Sequence, residues 1–143
     1  MANPNPFFQY TVGLNNVGSY QASARPWVSS SITVPTSGAV ATAQEVTFPK
    51  VTRFVTIRND ATASTNELRV AFARDGLLEQ GDKMNFFVLA QSSSISLEYR
   101  ITKLYLMSDD SYEGSATIIA GLTQIEADHL ADSWSGLTGV SKA

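Results

Sequence analysis

The single imidazole of this 143-residue chain, His129, sits beside Asp128, with Asp132, Ser133 and Ser135 following closely. These are the residue types of nucleophilic hydrolysis, where histidine takes a serine proton and a carboxylate orients the ring. Such triads converge from separate rigid elements, often with the serine on a G-x-S-x-G elbow. Here every member lies in one terminal segment and no elbow occurs, so His129 reads as a surface or interface histidine. A second chemistry, glycoside hydrolysis, needs two carboxyls at a set separation in a cleft. Its candidates are Glu67, Asp75, Glu79, Asp82, Glu98, Asp109, Asp110 and Glu113, most of them in polar, loop-like stretches where carboxylates solvate turns. Glu98 is expected to pair with Arg100 or to stay exposed. Neither Asp109-Asp110-Glu113 nor Asp75-Glu79-Asp82 matches the calcium-loop spacing D-x-[DN]-x-[DN]-G. Glycine loops for phosphate are absent as well. With no cysteine and one histidine, thiolate sites, iron–sulfur clusters and a His-based metal centre within one subunit are disfavoured. The expectation is a protein that is not an enzyme, has no cofactor or metal, and takes no small-molecule substrate.

Composition narrows the partners. Charged residues are 16% of the chain, against roughly 25% in an average globular protein, while hydrophobic residues reach 43%. Thirteen Thr and seventeen Ser supply much of the polarity, which suits wet interfaces of neutral hydrogen-bonding groups. The net charge is −3, and the basic residues Lys50, Arg53, Arg58, Arg69, Arg74, Lys83, Arg100 and Lys103 are interspersed with acids. Nucleic-acid binding through a phosphate-neutralising face is therefore not expected. No apolar run approaches the ~18–20 residues of a membrane span. The opening M-A-N-P-N-P-F-F-Q-Y lacks the basic and apolar regions of a secretory signal. A soluble protein made in a cytoplasm, with no membrane partner, is the resulting expectation.

The elements that would position any site are short strands. Short β-like runs punctuated by turn residues place them at 28–34, 45–48, 51–59, 68–73, 85–90, 95–101, 103–108 and 114–123, with no amphipathic helix longer than two turns. In 51–59, Val51, Val55 and Ile57 point one way and Thr52, Phe54, Thr56 and Arg58 the other. Leu68, Val70 and Phe72 point inward, as do Ile95, Leu97, Tyr99 and Ile101. Segment 85–90 is apolar on both faces and reads as a strand covered on both sides. Eight strands at this spacing, without crossover helices, predict an all-β fold: an antiparallel β-sandwich or jelly roll.

Three regions follow: an extended N-terminal arm (1–27), the sandwich (28–124) and a C-terminal tail (125–143). Pro4, Pro6 and Pro26 deny the arm backbone donors, yet it carries Phe7, Phe8, Tyr10, Tyr20 and Trp27. A disordered tail is normally poor in aromatics, so these rings pack on their own subunit or on a neighbour. In the tail, Trp134 and Leu137 stand among Ser and Gly, and either fold back or anchor another chain. Phe7, Phe8, Tyr10, Tyr20, Trp27, Trp134 and Leu137 are the candidate interface residues.

Several stretches carry a resemblance: Q-Y-T-V-G-L-N-N-V-G-S-Y-Q (9–21), A-R-P-W (24–27), E-V-T-F-P-K-V-T-R-F-V-T-I-R-N (45–59), F-F-V-L (86–89), I-S-L-E-Y-R-I-T-K-L-Y-L (95–106) and A-G-L-T-Q-I (120–125). Together they resemble small virion structural proteins of tailed bacteriophages and large marine DNA viruses. The resemblance implies a capsid-associated, decoration or minor capsid protein, located in the virion. Its partners would be copies of itself in a homo-oligomer and other virion proteins such as a major capsid protein. A receptor- or carbohydrate-binding sandwich of a fibre or spike is the alternative, with Tyr99, Tyr105, Tyr112 and Trp134 as platform candidates. Removal of 1–12 or 130–143 is expected to leave a folded sandwich that no longer enters particles.

Overall fold

The computed structural model describes residues 12–21, 24–37, 42–62, 66–78, 84–130 and 137–141. Eight strands form in chain order: β1 (Arg25–Val34), β2 (Gln44–Thr47), β3 (Lys50–Asn59), β4 (Leu68–Ala71), β5 (Phe86–Leu89), β6 (Ser94–Leu97), β7 (Lys103–Ser108) and β8 (Gly114–Glu126). Each overlaps a stretch read from the sequence as a strand, with β1 beginning earlier, at Arg25, and β8 ending later, at Glu126. They assemble as two four-stranded antiparallel sheets, ordered β1-β8-β3-β6 and β2-β7-β4-β5. The chain switches sheets at every connection except β4–β5, and this is the strand order of a jelly roll.

The antiparallel pairing sorts the connections to two poles. The β1–β2, β3–β4, β5–β6 and β7–β8 connections meet at one. The β2–β3, β4–β5 and β6–β7 connections share the other with both chain ends. The core lies between the sheets. Val34, Val55, Ile57, Ala116, Ile118, Ala120 and Leu122 come from the first sheet, and Val46, Leu68, Val70, Leu89, Leu104 and Leu106 from the second. Within β3, Val55 and Ile57 are buried and Arg58 is exposed, as the alternation requires, while Arg53, of the same parity as Val55, is exposed. Thr52 breaks that pattern and is buried, because the β3–β8 register shifts on both sides of it.

At the pole without chain ends, the loops are held by polar groups. Asn59 Nδ2 donates to the carbonyls of Asn66 (2.9 Å) and Leu89 (3.0 Å). Asn66 Nδ2 donates to Glu113 O at 3.0 Å, and the Ser108 hydroxyl donates to Asn66 Oδ1. All three side chains are buried, so these bonds offset a desolvation cost of about 1–3 kcal/mol per group left unpaired.

Three local expectations are corrected. Segment 85–90 is not covered on both sides: β5 is a sheet edge and Val88 is 43% exposed. Its Phe86 packs outward with Ala71, Leu77 and Met107 in a second small cluster, below the Arg69 guanidinium at 4.7 Å. A short 3-10 helix, Arg74–Leu77, supplies Leu77 to that cluster. Tyr99 is not inward, because β6 ends at Leu97 and leaves Tyr99 53% exposed. Trp27 belongs to a strand rather than to an arm: β1 begins at Arg25, and the Trp27 ring meets Phe48 edge-on at 4.9 Å.

Candidate functional site

The pole that receives the segments 12–21 and 137–141 carries a concavity. Its N-terminal wall is the segment 12–21. A turn closes from Asn16 N to Gly13 O (3.2 Å), and the Asn16 side chain accepts from Gly18 N (3.0 Å) at the start of α1 (Gly18–Gln21). Leu14 is pinned by its carbonyl, which accepts from the Tyr20 hydroxyl at 3.1 Å and from Arg100 Nη1 at 3.0 Å. The same guanidinium lies 5.4 Å from the Tyr20 ring centre.

The floor comes from the β6–β7 connection. Buried Thr52 fixes it: the Thr52 hydroxyl donates to Tyr99 O (2.7 Å) and accepts from Ile101 N (3.1 Å). Tyr99 then stands edge-on to Phe72 at 5.6 Å. The C-terminal wall is built by two returns of the chain. Lys50 pairs with Glu126 at the end of β8, followed by a 3-10 helix, Ala127–His129. Further on, Ser141 is buried; its hydroxyl donates to Asp75 Oδ2 (2.9 Å), and its carbonyl accepts from Asn85 Nδ2 (2.9 Å). Gly76 permits this approach, since a Cβ there would lie 2.4 Å from Val140 O.

These walls border an open, largely apolar cavity of about 480 Å³, lined by Leu14, Asn15, Phe72, Tyr99, Arg100, Ile101, Leu130, Leu137 and Val140. A more polar groove of about 520 Å³ adjoins it, sharing Leu14, Asn15 and Arg100 and adding Val17, Tyr20, Arg53 and Glu98. The arrangement suits docking of an apolar group beside a guanidinium, within the size range of small-ligand and anchor pockets, roughly 300–1,000 Å³.

Of the candidate interface residues, Tyr20 and Leu137 border these concavities, with Leu137 48% exposed. Trp27 is committed to its own core. Phe7, Phe8, Tyr10 and Trp134 lie outside the described residues. Leu14, Phe72, Ile101 and Val140 complete the cavity without having been singled out. Two of them had a signal: the stripes Leu68-Val70-Phe72 and Ile95-Leu97-Tyr99-Ile101 run past the ends of β4 and β6. An apolar stripe that outlasts its strand must bury its end against something else.

The other candidate chemistries are dispersed. His129 is 53% exposed with Asp128 4.0 Å away, while Asp132, Ser133 and Ser135 lie outside the described residues. Asp109 pairs with Arg69, and Asp110 accepts from the Ser111 backbone and hydroxyl. Glu79 and Asp82 lie outside the described residues. Among the described residues no group of three His, Asp or Glu is placed to hold a metal ion, and no helix is long and apolar enough to cross a membrane. One charged cluster does form, on the outer face of the second sheet, where Glu45 accepts from Thr47 (3.1 Å) and lies by Arg74 (3.3 Å) and Lys103 (3.4 Å). Burial pushes the Glu45 carboxyl up, but the Thr47 hydroxyl and Lys103 outweigh it and hold the pKa below its usual value. Burial, with Glu45 next, pushes the neighbouring Tyr105 phenol up.

No family model matches the chain, and no curated protein matches it. A solved structure, hydroxypropylphosphonic acid epoxidase from S. wedmorenis in complex with fosfomycin, is similar over 70% of this chain at 11% identity, with a TM-score of 0.41. The match covers 44% of that protein's chain. A likeness of this degree shows neither a shared activity nor a shared site.

Proposed function

We propose that this protein is a structural component of a virus particle, a capsid-associated, decoration or minor capsid protein that acts through contacts with its own copies and with other virion proteins such as a major capsid protein. The observation that supports this reading is the delivery of both chain ends to one pole of a jelly roll, where they build a surface cavity lined mainly by apolar side chains.

Jelly rolls serve as capsid units, lectins and cupins, so the fold does not choose among them. The side chains do. The space between the sheets is packed with Val, Ile, Leu and Ala rather than with convergent polar ligands, which argues against chemistry inside the sandwich. A sugar platform needs neighbouring exposed rings. Tyr99 precedes β7 and Tyr112 follows it, so they sit at opposite poles, separated by six strand residues or roughly 20 Å. Tyr105 is half-buried beneath Arg74, and Trp134 lies outside the described residues. The cavity at the terminal pole supports a role in surface contact.

The test is mass spectrometry on gradient-purified particles from cells that produce the protein. The chain should band with the particles at a fixed ratio to the major capsid protein. Recovery only in the particle-free fraction, together with specific retention on a glycan array, would overturn the proposal in favour of a receptor-binding module.

A further inference from the structure

We infer that the cavity at the terminal pole binds a single-chain amphipathic carboxylate of the fatty-acid class, with the apolar chain in the cavity and the carboxylate on Arg100. The inference goes beyond the proposed structural role and does not depend on it.

The cavity is sorted by polarity. Leu14, Phe72, Tyr99, Ile101, Leu137 and Val140 present mostly carbon, and Arg100 is the one charged side chain among its described lining residues. Its volume of about 480 Å³ falls within the roughly 300–1,000 Å³ of small-ligand sites, which pair apolar walls with a few placed polar groups. Tyr99 and Leu137 are exposed, so the apolar surface can be reached from solvent.

Arg100 is preset. The backbone on either side of it is clamped by buried Thr52, whose hydroxyl donates to Tyr99 O (2.7 Å) and accepts from Ile101 N (3.1 Å). The side chain is held by its Nη1, which donates to Leu14 O at 3.0 Å, and by the Tyr20 ring at 5.4 Å. No carboxylate among the described residues pairs with this guanidinium. A guanidinium has five N–H donors in a planar fork that matches a carboxylate, and Leu14 O takes one of its nitrogens. Holding the cation in place beforehand removes part of the ordering cost of binding.

Charge then decides which end of the ligand goes where. Leu14, Asn15 and Arg100 border both the cavity and the adjoining polar groove, where Arg53 and Glu98 also stand. Of the three charged side chains there, two are cationic, which favours an anionic head at the boundary. Glu98 lies on the groove side and repels that head towards Arg100 and the cavity mouth. An amine head would instead meet two guanidinium groups. A neutral alcohol would bury the same chain and forgo the ion pair.

The test is calorimetric titration of the full-length protein with decanoate, decanol and decylamine, each below the concentration at which it aggregates, and with acetate. Decanoate should bind once per chain, about tenfold or more tighter than decanol or decylamine, because a charge-assisted hydrogen bond is added. Acetate, which lacks the chain, should not bind measurably. Octanoate should bind more weakly by about fourfold for each methylene lost from the buried chain. Arg100→Gln should weaken decanoate binding about tenfold or more and leave decanol binding unchanged. Because Arg100 also holds Leu14, Leu137→Asp serves as a second variant: it sets a like charge on the cavity wall at an exposed position and should abolish decanoate binding. Melting curves check that both variants fold. Decanol binding as tightly as decanoate, undiminished decanoate binding in both folded variants, or no decanoate binding by the natural chain would each overturn the inference. Particle association is measured separately, so its failure would leave this site standing, and an unoccupied cavity would leave the structural role standing.

Discussion

Glu45 lies across from Tyr105 on paired strands, with Lys103 opposite Thr47 in the next pair. That register makes its carboxylate the shared acceptor of a hydroxyl and two cations. Its folded pKa is lowered, so the cluster stabilises the fold above the unfolded carboxylate value of about 4.3, and that contribution fades as pH falls through the lower folded value. Urea melts across that acid range should show a steeper loss for the natural chain than for Glu45→Gln. Tyr105, raised, has the opposite sense: its contribution is complete below the unfolded phenol value of about 10 and fades above it. Steric predictions belong to this scale as well. At Gly121, a Cβ would lie 2.3 Å from Phe54 Cε1 and 2.6 Å from Ala24 Cβ, so Gly121→Ala should cost about 1–3 kcal/mol by thermal melting. Asn66→Ala should cost about 1–3 kcal/mol, since it strips buried Ser108 and the Glu113 carbonyl of a partner. None of these roles was legible in the sequence. Asn66 and Glu45 look like ordinary loop and surface residues until pairing brings Ser108 and Lys103 to them.

At the scale of elements, short β-like runs located the strands, most clearly at 51–59, 68–73 and 95–101, because a half-buried sheet forces a period of two on its residues. It could not say which strands are edges. Segment 86–89 is apolar on both faces for two different reasons: Leu89 enters the main core, while Phe86 serves the outer cluster capped by Leu77. Edge strand β1 carries another device hidden from pattern reading. Ser31 adopts φ +54° where the β1–β8 register shifts between Ser29 and Ile32. Such a bulge interrupts an exposed edge and discourages pairing with other sheets. Ser31→Val should therefore cost about 1–2 kcal/mol, while Ser31→Gly should stay within about 0.5 kcal/mol, both read from denaturant midpoints. The docked segment 137–141 makes a further prediction. Gly76→Ala sets a methyl against Val140 O and should abolish hydrogen-exchange protection at Val140 and Ser141 while the strands keep theirs.

For the whole molecule, the sequence pattern shows where the sandwich is but not how its ends lie. The tail was open to two readings, and residues 137–141 fold back: Ser141 is buried between Asp75 and Asn85. Deleting 130–143 would remove part of the body's own packing, so it is a poorer probe of assembly than substitutions in the preceding arm. Convergence of the ends is a consequence of topology: with eight antiparallel strands, the chain enters and leaves at the same pole. That pole then collects the stripe ends Phe72, Tyr99 and Ile101, which line the cavity. The central claim is that this body is a building block joined through its terminal pole. Light scattering across a concentration series, on the natural chain and on Phe7→Ala/Phe8→Ala, tests it most directly. The account predicts a defined multimer for the natural chain and a monomer of unchanged melting temperature for the variant. A natural chain that stays monomeric at every concentration, or a variant that assembles equally well, would contradict it.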